Sequence, residues 1–205
     1  MMHCNVWHNI CQSHHVNYHN NSMRANIRIN ELTRVVIVGA GLGGLQLAMH
    51  LRKAGFQVVI VDKNNYNQFP PLIYQVASAG LEPSSISFPL RRIFQGYKNY
   101  FFRMAEVREI DVKEKAIRTS VGTIHYNYLV LAMGATTNFF GNEDVERHAL
   151  PMKTVEDAMA LRNHVLLTLE RADTEEAAEK RQKLMNVVIV GGGPSGVEIA
   201  GALAE

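Results

Sequence analysis

The chain has 205 residues, of which 47% are hydrophobic and 20% charged, with a formal net charge of +2. That is the composition of an ordinary globular protein, and so small a charge predicts no nucleic-acid or other polyanion partner. No apolar run reaches the roughly 18 residues needed to span a bilayer, and Cys4 and Cys11 are the only cysteines, so the body of the chain has no thiol pair for disulfide redox chemistry.

Residues 1–33 differ in composition from the rest. His3, His8, His14, His15 and His19, both cysteines and Trp7 crowd there among asparagines, with no periodicity. Cys4, His8, Cys11 and His14 have ligand chemistry, but their spacing matches no common zinc pattern. The expectation is a disordered leader holding no metal, or upstream sequence before a true start at Met23. A secretory signal is not expected, because the segment lacks an apolar centre and a basic start.

Arg34 to Asp62 organises everything that follows. Val35 to Val38 read as a buried parallel strand, and Gly39, Gly41 and Gly44 follow at G-x-G-x-x-G spacing, with Gly43 between them as a further candidate. Leu45, Leu47, Ala48 and Leu51 keep one helical face apolar. Gly55 ends the helix, and Phe56 to Val61 form a second buried strand closing on Asp62. Each residue type has its own task. Gly39 permits the tight turn, Gly41 lets backbone approach a pyrophosphate, and Gly44 lets the helix pack on the strand. The pyrophosphate would sit on the free N–H groups and positive end of the helix, and Asp62 would accept from a ribose diol, with Lys63 beside it.

After Asp62, Pro70 and Pro71 forbid a helix and hold the chain extended, so Pro71, Leu72 and the residues up to Gln75 form a segment that could line a flat aromatic ring or pack as an ordinary loop. Ser84 to Phe94 suggest a short amphipathic helix broken near Pro89. From Tyr100 to Val121 the alternation predicts a small antiparallel meander, and Ile124 to Met133 a further strand whose end, Leu129 to Met133, is fully apolar and so buried on both faces. Since strand carboxyl ends line the ligand crevice of a parallel sheet, Ala132-Met133-Gly134 is a candidate second approach to the same nucleotide.

Thr154 and Asp157 form a variant capping box opening a helix whose face is Val155, Ala158, Leu161, Val165, Leu166 and Leu169. Glu176–Lys180 and Glu179–Lys183 predict a solvated helix or linker. Then the first element recurs: Asn186 to Val190 read as a buried strand, and Gly191, Gly193 and Gly196 repeat the glycine spacing around Pro194 and Ser195. The residue that would separate NADH from NADPH is expected about 20 positions past those glycines, beyond Glu205.

Across residues 34–205 the sequence resembles the N-terminal half of a two-dinucleotide flavoprotein, and is most similar to the type II (non-electrogenic) NADH dehydrogenases, which pass electrons from NADH through FAD to a quinone. The resemblance lies in the two glycine motifs, in Phe69-Pro-Pro-Leu-Ile-Tyr-Gln-Val-Ala-Ser-Ala-Gly80 and in Tyr128-Leu-Val-Leu-Ala-Met-Gly-Ala-Thr-Thr-Asn138. It implies an α/β, Rossmann-like FAD/NAD(P)-binding fold with a small antiparallel β-meander insert, cut at the start of a second dinucleotide-binding domain. The implied division is 34–150 for the FAD part, 151–185 for connecting helices and 186–205 for the opening of the NADH part. Gly39, Gly41, Gly44 and Asp62 would hold the ADP part of FAD, backbone at Val107 would meet the adenine, and Pro71 to Ala77 would border the flavin ring. Ala132-Met133-Gly134 stands where the family has Ala-Thr-Gly, and a methionine cannot donate the threonine's hydrogen bond.

Gly191, Gly193, Ser195 and Gly196 would take the NADH pyrophosphate, and Glu198 matches a glutamate close to the nicotinamide, although a first-turn acid is also favoured by the helix dipole. The resemblance further implies a quinone acceptor and a peripheral enzyme on the cytoplasmic side of the cell membrane, docking through a C-terminal part that is not in this sequence. A homodimer is compatible with it. Competing expectations are another NAD(P)H-dependent flavoprotein reductase with a different acceptor, and an inactive flavin-binding fragment.

Overall fold

A computed structural model describes residues 25–28 and 30–204. The leader's cysteine and histidine cluster lies outside those residues.

Strands β1 (Arg34–Val38) and β2 (Gln57–Asp62) pair in parallel, Val35 opposite Val58 and Ile37 opposite Ile60. Runs of β-branched residues suit a strand covered on both faces, and Val36, Ile37, Val58, Val59, Ile60 and Val61 are all 0% exposed. β5 (Tyr100–Met104) lies on the far side of β2 and β9 (Tyr128–Leu131) on the far side of β1, giving a parallel sheet in the order β5-β2-β1-β9.

The strand period of two sends alternate residues to two cores. Val35, Ile37, Val58 and Ile60 join Ala48 of α1 (Leu42–His50) and Leu90 of α3 (Leu90–Ile93). Val36, Val38, Val59 and Val61 meet Ile117 and Ile124 of the antiparallel meander β6-β7-β8 (Val107–Asp111, Ala116–Thr119, Gly122–His125). Residues 25–28 belong to this body: Ala25 is buried, the Arg103 Nε donates to its carbonyl at 2.6 Å, and the Gln57 Nε2 donates to the Arg28 carbonyl at 2.7 Å.

Between β2 and β5 the chain makes a small hairpin of β3 (Tyr66–Gln68) and β4 (Ser87–Pro89), enclosing the short helix α2 (Ile73–Ala77). α4 (Glu143–His148) is capped by the Asn142 side chain. α5 (Val155–Thr174) begins in the anticipated capping box, with the Thr154 Oγ1 accepting from Asp157 N at 3.1 Å and the Asp157 Oδ2 from Thr154 N at 2.9 Å. α6 (Ala178–Met185) carries the Glu179–Lys183 pair at 2.9 Å, and α7 (Pro194–Ala204) follows the second glycine motif. Ile199 of α7, Val155 and Ala158 of α5, and Ile73, Val76 and Ala77 of α2 share a third core.

Six expectations are corrected. Residues 25–28 are not part of a disordered leader, because they pack on the sheet core. Pro70 and Pro71 do not hold the chain extended but open a 3-10 turn, Pro70–Leu72, since a first helical turn needs no N–H from proline. Tyr100–Met104 is not in the meander but forms the parallel edge strand β5, because its apolar residues cover β2. The Ser84–Phe94 stretch is not one helix: a 3-10 turn at Pro83–Ser85 precedes Ser87–Pro89, which extends to pair with β3, and an α-helix starts only at Leu90. Ile124 to Met133 is not one strand but is split between β8 and β9, and its end is not buried on both faces: among the described residues β9 pairs only with β1, and Leu131 and Met133 are 53% and 64% exposed. Val187 to Val190 form no strand and stay exposed, since no described segment pairs with them and a parallel strand needs neighbours to satisfy its backbone.

Candidate nucleotide-binding site

The first glycine turn is set by backbone contacts that leave no room for side chains. Gly39 has φ +97°, and a Cβ there would lie 2.6 Å from the Ala132 carbonyl carbon and 2.9 Å from the Met133 Cα. A Cβ on Gly44 would collide with the Gly39 carbonyl and come within 3.3 Å of the Ala132 Cβ. Ala132 therefore does run against the first turn, as its place at a strand end suggests. Gly134 follows with φ +72°.

Gly41 and Gly43 are different, since a Cβ on either meets nothing within 4 Å. Gly41 is the N-cap of α1 and offers no side-chain cap, so the first-turn N–H groups lack a side-chain acceptor. Bare backbone donors at a positive helix end beside open space fit a pyrophosphate.

Asp62 ends β2 next to this turn. Its Oδ2 accepts from Ala40 N at 2.6 Å and its Oδ1 from Asn64 N at 2.8 Å, which fixes the carboxylate while each oxygen keeps further acceptor capacity. Lys63 is exposed beside it. Gly39 N donates to Val61 O at 2.8 Å, and Ala105 N to Asp62 O at 2.8 Å, carrying the chain from β5 to Val107, which packs against the core of Val38 and Val61.

β3 contributes a residue that was not anticipated. The Nδ2 of Asn67, 7% exposed, donates to Ala40 O at 2.8 Å. Its neighbours project the other way: Tyr66 Oη donates to Glu156 Oε1, and Gln68 Oε1 accepts from Val155 N at 3.0 Å. Burial, and then the bond to Glu156, push the Tyr66 phenol well above its ordinary value. One three-residue strand thus ties the glycine turn to the start of α5. No motif in the sequence marks Asn67, whose acceptor on Ala40 lies 27 residues away.

Pro71 and Leu72 form a single 3-10 turn leading into α2, where Gln75 donates to the Tyr74 hydroxyl at 3.1 Å. The second glycine turn repeats the first. Gly191 has φ +116°, a Cβ on Gly196 would collide with the Gly191 carbonyl, and positions 192 and 193 are open. Val197 N bonds Gly193 O at 3.1 Å, as Leu45 N bonds Gly41 O at 2.9 Å. Ser195 and Glu198 are exposed on α7. A groove of about 1110 Å³ runs along this second turn, between Val187–Gly196, His164 of α5 and Phe140. Among the described residues no His, Cys, Asp and Glu cluster could hold a metal ion.

The parallel sheet and the glycine turn after β1 define a Rossmann-like α/β protein, in which a second glycine turn leads into α7. The chain belongs to the pyridine nucleotide-disulphide oxidoreductase family, whose pattern matches residues 33–205. It is 35% identical over 176 residues to the type II NADH:quinone oxidoreductase NdhA of Mycobacterium tuberculosis, covering 84% of this chain and 37% of that protein. The external alternative NAD(P)H-ubiquinone oxidoreductase B4 of Arabidopsis thaliana mitochondria is 34% identical, with 84% and 31% covered. The structure of NDH2 from Plasmodium falciparum in complex with NADH superposes with a TM-score of 0.76 at 26% identity, over 84% of this chain and 37% of that one. The chain thus spans about a third of the length of the relatives it matches.

Proposed function

We propose that this protein is an FAD-dependent oxidoreductase that passes electrons from NADH to a quinone. One observation carries the reading: a single chain with a thiol-free body builds the same glycine turn twice, Gly44 on Gly39 and Gly196 on Gly191. One turn serves a resident dinucleotide and the other a diffusing one. The names of its relatives, NADH:quinone and NAD(P)H-ubiquinone oxidoreductases, support the donor and the acceptor class.

On this reading Gly41 to Gly44 hold the FAD pyrophosphate, Asp62 the ribose, and Pro71 to Ala77 border the ring. Gly191 to Gly196 with Ser195 receive NADH, and Glu198 stands near its nicotinamide end. Bound FAD supplies the chemistry, taking two electrons from a nicotinamide and releasing them to a quinone. The chain's residues bind and orient the two nucleotides, and no acid, base or nucleophile among them is required. A peripheral place on the cytoplasmic face of a membrane accords with this role, and among the described residues no helix is long and apolar enough to cross one.

The test is spectroscopic. Anaerobic NADH should bleach the flavin absorption of the reconstituted protein, and a short-chain quinone should restore it. A flavin that stays oxidised under excess NADH overturns the proposal.

A further inference from the structure

The Ala40–Gly41 peptide is held at both ends of its first residue: Ala40 N donates to the Asp62 Oδ2 at 2.6 Å, and Ala40 O accepts from the Asn67 Nδ2 at 2.8 Å. In a trans peptide the C=O and the following N–H point in opposite directions. Anchoring the Ala40 carbonyl on buried Asn67 therefore turns the Gly41 N–H away from Asn67, at a residue whose Cβ position is open. Residue 41 is also where this peptide turns over most easily. A flip would carry its φ from −69° into the positive region, which glycine alone enters freely. A flipped peptide would present a carbonyl oxygen, not a donor, to an anion.

Given the FAD reading of the first turn, on which this inference rests, we infer that Asn67 is a positioning residue for the cofactor pyrophosphate. It holds the Ala40–Gly41 peptide in the one orientation that offers its N–H to the phosphates. Asp62 alone does not do this, because it grips the Gly39–Ala40 peptide and leaves the next one free to rotate. Asn67 itself touches no cofactor. It acts through backbone, from a strand whose other two side chains hold α5.

The experiment compares ligands with and without phosphate. FAD affinity is measured by flavin fluorescence on the 205-residue chain and on Asn67→Leu, which keeps the volume but loses the donor, and adenosine is measured as a competitor on both. The expected result is FAD binding weakened about 10-fold in Asn67→Leu with adenosine unchanged. Asn67→Asp, isosteric but unable to donate when ionised, should weaken FAD at least as much, and decides the matter should the leucine variant not fold. Asn67→His, which retains an N–H, should recover part of the loss. Equal FAD affinity in all variants overturns the inference, as does equal weakening of FAD and adenosine, which would mean a merely structural role. Failure of the unaltered chain to bind FAD overturns the functional reading first, and this inference with it.

Discussion

At the scale of single residues, the glycines of the first turn divide by what surrounds them. Gly44 is required by packing, because a methyl group there meets the Gly39 carbonyl carbon at 3.0 Å and its oxygen closer still. Gly41 has φ −69° and open space, so an alanine fits the unliganded fold and intrudes only on whatever approaches the helix end. Gly44→Ala should therefore lower the apo-protein's stability by about 2 kcal/mol or more, an overpacking cost in a place with no slack. Gly41→Ala should change it by less than about 1 kcal/mol while abolishing tight FAD binding. Urea melts of both apo variants, with FAD titrations, check this. A Gly41→Ala protein that binds FAD normally would remove pyrophosphate approach as the reason for that glycine.

At the scale of elements, β3 is the part that joins things, and its chemistry makes a pH prediction. Tyr66 is partly buried and donates to Glu156, both of which hold its proton, so its folded-state value lies above the 10.0 of an unfolded tyrosine. A raised value in the folded state means a stabilisation complete below about pH 10 and lost progressively as pH rises above it. Tyr66→Phe should be less stable than the parent at about pH 8, and the gap should narrow at about pH 11. Parallel urea midpoints at the two pH values measure it, and a constant gap would sink the linkage. The sequence made β1, α1, β2 and the α5 capping box legible, since each is written locally: Val35 to Val38 by β-branching, Gly39 to Gly44 by spacing, Thr154 and Asp157 by their separation. Asn67 and β5 were not legible. A buried asparagine in a strand looks like any polar residue until its long-range acceptor is known, and Tyr100–Met104 alternates just as a meander strand would. What separates them is the partner, β2, more than 30 residues away in sequence.

At the scale of the whole molecule, the two glycine units agree in their turns and differ in their strands. β1 has a neighbour on each side, so its valines are buried; Val187 to Val190 precede a turn of the same geometry with no described neighbour on either side. Val188 and Val190 are 85% and 73% exposed, and alternate with Val187 and Ile189 at 58% and 39%. An apolar, unpaired strand segment is a template for pairing with another chain, and contact between copies of this segment would satisfy its backbone as well as its side chains. The 205-residue chain should therefore self-associate at concentrations on the order of 10–100 µM. Val188→Lys with Val190→Lys, which charges one face of the segment and leaves Val187 and Ile189 in place, should shift the chain to monomer while FAD affinity stays as it was, because the first turn is built on the β5-β2-β1-β9 sheet, to which this segment does not belong. Sedimentation velocity over a concentration series reads both states. A parent chain that is monomeric throughout would mean the segment is covered from within, and a double variant that associates as strongly would place the contact on another surface.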